Sequence, residues 1–200
     1  IGNITSLETL LNTVPYLAKT SDIVALMVIE HQVEVQNLIT RVNYDIRSAL
    51  DANPELLAES GQDINKIPDD VARLINDISA PLVGALLMVD EEPLTDTIEG
   101  AAAYAEWFTG LGPFDNQGRS LREFDLKTRL FRYPLSYLIY SPAFDNLPDL
   151  VKQHIYQRLA TILGNKDTDE FTRLTTADRT AILAILNETK PDFRAAGRSP

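Results

Sequence analysis

The stretch Ser21 to Leu50, SDIVALMVIEHQVEVQNLITRVNYDIRSAL, decides the fold. Val24, Val28, Val35, Leu38, Ile39, Val42, Ile46 and Ala49 recur at the spacing of one helix face. Neither Gly nor Pro interrupts the run, so it predicts one long helix, capped by Thr20 or Ser21. Its first part, Ile23 to Ile29, is apolar on every side, and a helix of that kind is normally buried. Glu30 and His31 follow directly, then Glu34, Asn37 and Arg41. Their place at the end of a buried segment predicts that Glu30 and His31 are partly buried. A buried ionisable group requires a partner and sometimes marks a functional site.

Outward from this helix, nearly every segment reads as helical. Leu7, Leu10, Leu11 and Val14 share a face before Pro15, and Asn53-Pro54 is a helix start signal. A loop follows around Gly61 and Asp63. A third strong helix starts near Pro68, with Val71, Leu74, Ile75, Ile78, Leu82, Ala85, Leu86 and Val89 at helical spacing, a kink at Pro81 and an end at Asp90 to Pro93. Asp96 and Glu99 fit a capping box for a short helix through Trp107 and Phe108. Residues 109–120, TGLGPFDNQGRS, form the clearest loop. Ser120 and Glu123 fit a second capping box, predicting a helix through Tyr133-Pro134 to Tyr140 that Ser141-Pro142 breaks. Pro148 opens another helix, with Leu150, Val151, Ile155, Leu159 and Ile162 inward, and Gly164 closes it. Thr175 caps a last helix, Asp178 to Glu188, and the tail from Lys190 reads as extended or disordered.

No alternating strand pattern competes with these helices. The expected fold is therefore all-α, an irregular bundle of about six to eight helices. Residues 1–190 read as a single helical domain, with the 109–120 loop the place for any subdivision, and 191–200 as the tail.

The composition excludes several functions. Net charge is −11, which argues against nucleic acid as a partner, since phosphate recognition rests on basic surface. The chain has no cysteine, so thiolate metal sites, disulfides and cysteine nucleophiles are excluded within it. No apolar stretch reaches the roughly 18 residues of a membrane span. The chain begins at Ile1 rather than Met, which points to a removed upstream segment or a longer product.

The segment GRSLREFDLKTRLFRYPLSYLIYSPAFDNLP, Gly118 to Pro148, is distinctive. Together with EHQVEVQNLITR in the long helix and the later ILNETKP, it resembles the C-terminal region of an uncharacterised family of larger, exported bacterial proteins. The resemblance covers about Ser21 to Pro191. It implies a helical module of a larger, extracytoplasmic protein and carries no activity with it. Where that family has a second histidine, this chain has Gln36, which weakens a metal or haem role for the helix.

Three sets of residues are candidates for chemistry. Glu30, His31 and Glu34 are candidate ligands of a divalent metal. Bundle di-metal sites use a Glu-x-x-His motif on paired helices, and this chain has none; the alternative is a structural polar stripe with Arg41 neutralising a carboxylate. His31 and His154, the only two histidines, are candidate axial ligands of non-covalent haem; the alternative is a hydrogen-bonded core role. Arg119, Arg122, Arg129 and Arg132, with Lys127 and Tyr137, gather basic and aromatic character after the glycine-bearing loop. They are candidate contacts for a small anion or an acidic partner; the alternative is pairing within the chain. No nucleophile motif is recognisable, and Glu91-Glu92 read as solvated turn carboxylates.

These observations favour a non-catalytic helical interaction or scaffold module that packs on other protein chains or on the rest of a longer polypeptide. A cofactor-binding, redox-accessory domain is the alternative, and an enzyme acting on a small anion a weaker one. The expected address is periplasmic or extracellular, with the cytoplasm as the alternative.

Overall fold

A computed structural model of the chain describes residues 6–15, 19, 22–52, 67–164 and 171–196. Among these residues the fold is an all-α bundle of seven α-helices: α1 (Ile23–Ala52), α2 (Asp69–Leu86), α3 (Ala102–Gly110), α4 (Pro142–Asp145), α5 (Asp149–Leu163), α6 (Thr176–Thr189) and α7 (Pro191–Ala196). Short 3-10 turns occur at Leu7–Thr9 and Tyr137–Tyr140. No helix of the described residues is long and apolar enough to cross a membrane.

The long helix α1 packs along α2, α2 packs also on α5, and α6 and α7 both pack against α5. Val24, Val28, His31, Val35, Ile39, Val42 and Ile46 form the buried stripe of α1. His31 thus occupies a core position between apolar neighbours, as the spacing predicts. Burying each branched apolar side chain contributes about 1.5–3 kcal/mol. Buried residues before and after the 109–120 loop belong to one contiguous hydrophobic cluster.

The expectation that Ile23 to Ile29 is buried on every side is overturned. Ile23, Leu26 and Ile29 are 48%, 53% and 56% exposed, and Val33 continues them at 53%. These four lie opposite the buried stripe, so α1 carries two apolar faces and the bundle covers one. The expected caps Thr20 and Ser21 lie outside the described residues. The cap seen is Asp22, whose Oδ1 accepts from the Val24 and Ala25 N–H groups at 2.9 and 3.2 Å. Its Oδ2 accepts from the Ala101 N–H at 2.7 Å, so one carboxylate serves the starts of α1 and α3. Asp96 and Glu99 do not box α3, which starts later, after Ala101, whose own side chain makes no cap. The helix start at Asn53-Pro54 and the loop at Gly61 and Asp63 also lie outside the described residues.

The predicted helix from Ser120 to Tyr140 does not form. Its capping pattern is real but local: Glu123 Oε1 accepts the Ser120 N–H at 2.9 Å, and Ser120 Oγ accepts the Arg122 N–H at 3.2 Å. The chain then turns back on itself. Asp125 N–H donates to Leu130 C=O, Leu126 N–H to Arg129 C=O and Arg132 N–H to Glu123 C=O, around an isolated antiparallel bridge between Phe124 and Phe131. The two rings stack at 5.5 Å. A helix would hold residues seven apart roughly 10 Å from each other along its axis. The aromatic cluster of Tyr104, Phe108, Phe124, Phe131 and Tyr137 therefore wins over local helix preference.

The tail is a second correction. Pro191–Ala196 is helical, and Phe193 is buried edge-on against Tyr156 at 5.8 Å. Lys190 is buried over the Tyr140 and Phe144 rings and pairs with Asp145. The Thr175–Asp178 capping box and the Gly164 end of α5 form as the sequence indicates.

Candidate functional site

His31 enters the core on α1 and is 5% exposed. Its Nδ1 lies 2.8 Å from Glu91 Oε1, and its Nε2 lies 2.8 Å from Ser136 Oγ. A carboxylate only accepts, so Nδ1 carries a proton toward Glu91. With a neutral ring, Nε2 then accepts from the Ser136 hydroxyl. Ser136 Oγ itself takes the Leu138 N–H at 3.3 Å, as the cap of the 3-10 turn. The ring is held between Phe131, edge-on at 5.6 Å, and Tyr137 at 6.2 Å. Three separate elements thus meet on one imidazole: α1, the turn after α2, and the 3-10 turn.

The turn that brings Glu91 to His31 is strained. Val89 N–H donates to Gly84 C=O, closing the end of α2, while Met88 sits at φ 55°. Glycine is the usual residue at such a position, and a side chain there costs about 1–2 kcal/mol. Glu91 C=O accepts from Arg173 at 2.7 Å, which pins the turn from the other side. The solvated turn expected for Glu91 is therefore wrong: its carboxylate is 30% exposed and bonded to a buried ring.

Beside this chain of bonds lies a cleft of about 680 Å³. Met27, Leu38, Pro81, Met88 and Leu94 contribute apolar wall, and Glu30, Glu34, Asp90, Glu91 and Glu92 contribute five carboxylates. Among the described residues no Lys or Arg lines it, and His31 is the one basic residue there. Such a volume falls in the range of ligand pockets. Ser136 is completely buried and does not line the cleft.

The other predicted residues fall elsewhere. Glu30 and Glu34 lie on the exposed side of α1 at the cleft, so Glu30 is not buried. Among the described residues no group of three His, Cys, Asp or Glu is placed to hold a metal. Both nitrogens of His31 are engaged, so a metal or haem would displace Glu91 or Ser136. His154 lies on α5 at a small cavity of about 110 Å³ formed with Asn76, Ser79, Val83 and Phe171. Its Nε2 is buried without a hydrogen-bond partner, and burial, then the nearby Arg158 charge, lowers its pKa below 6.5.

Most of the basic cluster pairs within the chain, although Lys127 and Arg132 stay exposed. Asp115 organises the glycine-bearing loop: its Oδ1 accepts from the Gln117 and Arg119 N–H groups, and its Oδ2 accepts from Arg119 Nε at 2.7 Å. The loop N–H groups of Gln117 and Arg119 are thus taken by Asp115, that of Asn116 by Glu188 and that of Gly118 by the Asp115 C=O, and no helix follows. Arg129 pairs with Asp178 at 2.6 Å, and Arg132 with Glu123 at 2.9 Å. Arg122 lies over the Tyr137 and Phe108 rings at 4.2 and 4.9 Å and donates to Gly112 C=O. Tyr137 is buried and donates to Gln32 at 3.1 Å; burial, partly offset by Arg122, pushes its hydroxyl up to about 12.

Sequence reasoning missed Glu91 and Ser136. The one available signal was His31 itself, since a histidine in a core stripe requires partners; nothing in the chain order says which. Comparison with family models, curated proteins and solved structures gives no match. The fold and site by themselves define a class: an all-α chain in which Glu91 and Ser136 meet on a buried His31 beside an acidic, apolar-walled cleft.

Proposed function

We infer that the chain is a helical interaction module that receives a basic segment of a partner chain. The single observation that carries this reading is the charge of the cleft: among the described residues, five carboxylates and no Lys or Arg line about 680 Å³ of partly apolar space. Arg or Lys side chains fit such a lining, with their aliphatic stems on Met27, Leu38 and Leu94 and their charged ends on the carboxylates. The outer apolar face of α1 lies next to it: Leu26 and Val33 flank Glu30 and Glu34 on the same exposed side. A partner helix or strand crossing there would meet apolar anchors and then acid. Such a surface suits a module of a larger, extracytoplasmic protein, in keeping with the resemblance of its sequence.

The test is binding of a fluorescent amphipathic Arg/Leu peptide, followed by anisotropy, against a Glu/Leu peptide of the same length. The basic peptide should bind, weaken with added salt and lose at least tenfold affinity on Glu30→Gln/Glu34→Gln. Equal binding of both peptides, or none, would sink the reading.

A further inference from the structure

We propose that Ser136 is an activated nucleophile, with His31 its general base and Glu91 the residue that positions His31. The geometry around His31 supports this independently of the interaction reading. Ser136 Oγ and Glu91 Oε1 each lie 2.8 Å from opposite nitrogens of one ring. The carboxylate accepts the hydrogen bond of Nδ1–H, so in the neutral ring the Nε2 lone pair faces the serine hydroxyl. This is the order in which serine, histidine and acid act in acyl transfer on unrelated folds.

A second observation points the same way. The backbone strain at Met88, φ 55°, falls in the turn that brings Glu91 onto His31. Strain of this kind is kept where surrounding structure holds a particular arrangement, and it collects at functional sites.

Ser136 has no exposed surface. His31 and Glu91 line the cleft, as does the irregular segment Met88 to Thr95. Reaching Ser136 from the cleft therefore requires a local opening that leaves Glu91 on His31.

The step balances without a further reagent. Ser136 Oγ bonds to an ester carbonyl carbon while its proton passes to His31 Nε2. The carbon–oxygen bond to the alcohol breaks, and the alcohol leaves with that proton. Water, with His31 again as base, then cleaves the acyl–Oγ bond and restores the serine. The acidic cleft selects an ester carrying a cationic group; this part rests on the cleft reading above, and the nucleophile does not.

The experiment treats the full chain with a fluorophosphonate and with p-nitrophenyl acetate, and maps the adduct by mass spectrometry. One adduct on Ser136 of the native fold is expected, absent in Ser136→Ala. Glu91→Gln should slow acylation by about 10³–10⁴-fold, with partial recovery in Glu91→Asp. A purely structural Glu91 would change the melting temperature and leave the acylation rate unmoved. Silence toward both reagents, or labelling spread over other serines, overturns the proposal. Acetylthiocholine and S-butyl thioacetate then separate the two readings. Equal turnover of the pair keeps the nucleophile and removes the cationic cleft; preference for the choline ester supports both.

Discussion

Glu91 Oε1 lies 2.8 Å from His31 Nδ1, joining the turn after α2 to the core stripe of α1. The carboxylate is the acceptor for an N–H whose side chain is only 4% exposed. Buried donors left without acceptors cost about 1–3 kcal/mol. The contact therefore belongs to the stability of the bundle as well as to its site.

Glu91→Ala should lower the unfolding free energy by about 1–3 kcal/mol, whereas Glu91→Gln, which keeps an acceptor, should lose less than about 1 kcal/mol. Urea denaturation of both variants measures the difference. Equal losses would show that charge, not the hydrogen bond, is what His31 requires.

Two glycines are needed for different reasons. A Cβ on Gly100 would come within 2.6 Å of a Val24 methyl and 2.9 Å of Asp22 Oδ1, where Asp22 joins the starts of α1 and α3. Gly118 has open space around it but sits at φ 74°. Gly118→Ala should cost about 1–2 kcal/mol from backbone conformation alone, and Gly100→Ala about 1–3 kcal/mol from crowding. Thermal melts distinguish them further, because Val24→Ala should partly rescue Gly100→Ala and leave Gly118→Ala unchanged.

Asp178 sets an acid limit. Burial pushes its carboxyl up, but the hydrogen bonds from Arg129 and Thr175 and the Arg129 charge outweigh this and hold it below 3.8. A folded pKa below the unfolded one gives stability that is complete above the unfolded value and lost as pH falls through the folded one. The chain should therefore lose this contribution below about pH 4. Asp178→Asn should be less stable at pH 7 by about 1–3 kcal/mol and show a flatter stability profile below pH 4. An unchanged profile would mean that other carboxylates govern acid unfolding.

His154 acts at milder pH. Its depressed pKa means that the unfolded chain takes up a proton which the folded chain resists. Stability should hold above pH 6.5 and decline as pH falls from there toward the folded pKa. His154→Gln removes that slope. Chemical denaturation at pH 7.5 and pH 5.5 measures it, and an equal pH difference in the variant would exclude His154 as the source.

Much of the architecture was legible because helix periodicity is local. The stripes of α1, α2 and α5 and the Thr175 cap of α6 follow from residues within a few positions of each other. His31 was legible as a core residue for the same reason. The outer face of α1 was misread because an apolar residue does not reveal whether anything covers it. Residues 120–140 were misread because a helix and a hairpin both satisfy Ser120 and Glu123 locally.

The amino-acid order alone thus determined the helical class, the long helix and the burial of one histidine in it. Only the tertiary structure decided that Phe124 folds back onto Phe131, that Arg119, Arg122 and Arg129 find partners within the chain, and that Glu91 and Ser136 meet on His31. The reason is physical. Helix spacing is set by hydrogen bonds four residues apart, whereas those meetings depend on distant side chains competing for one core, where the aromatic cluster outweighs local preference.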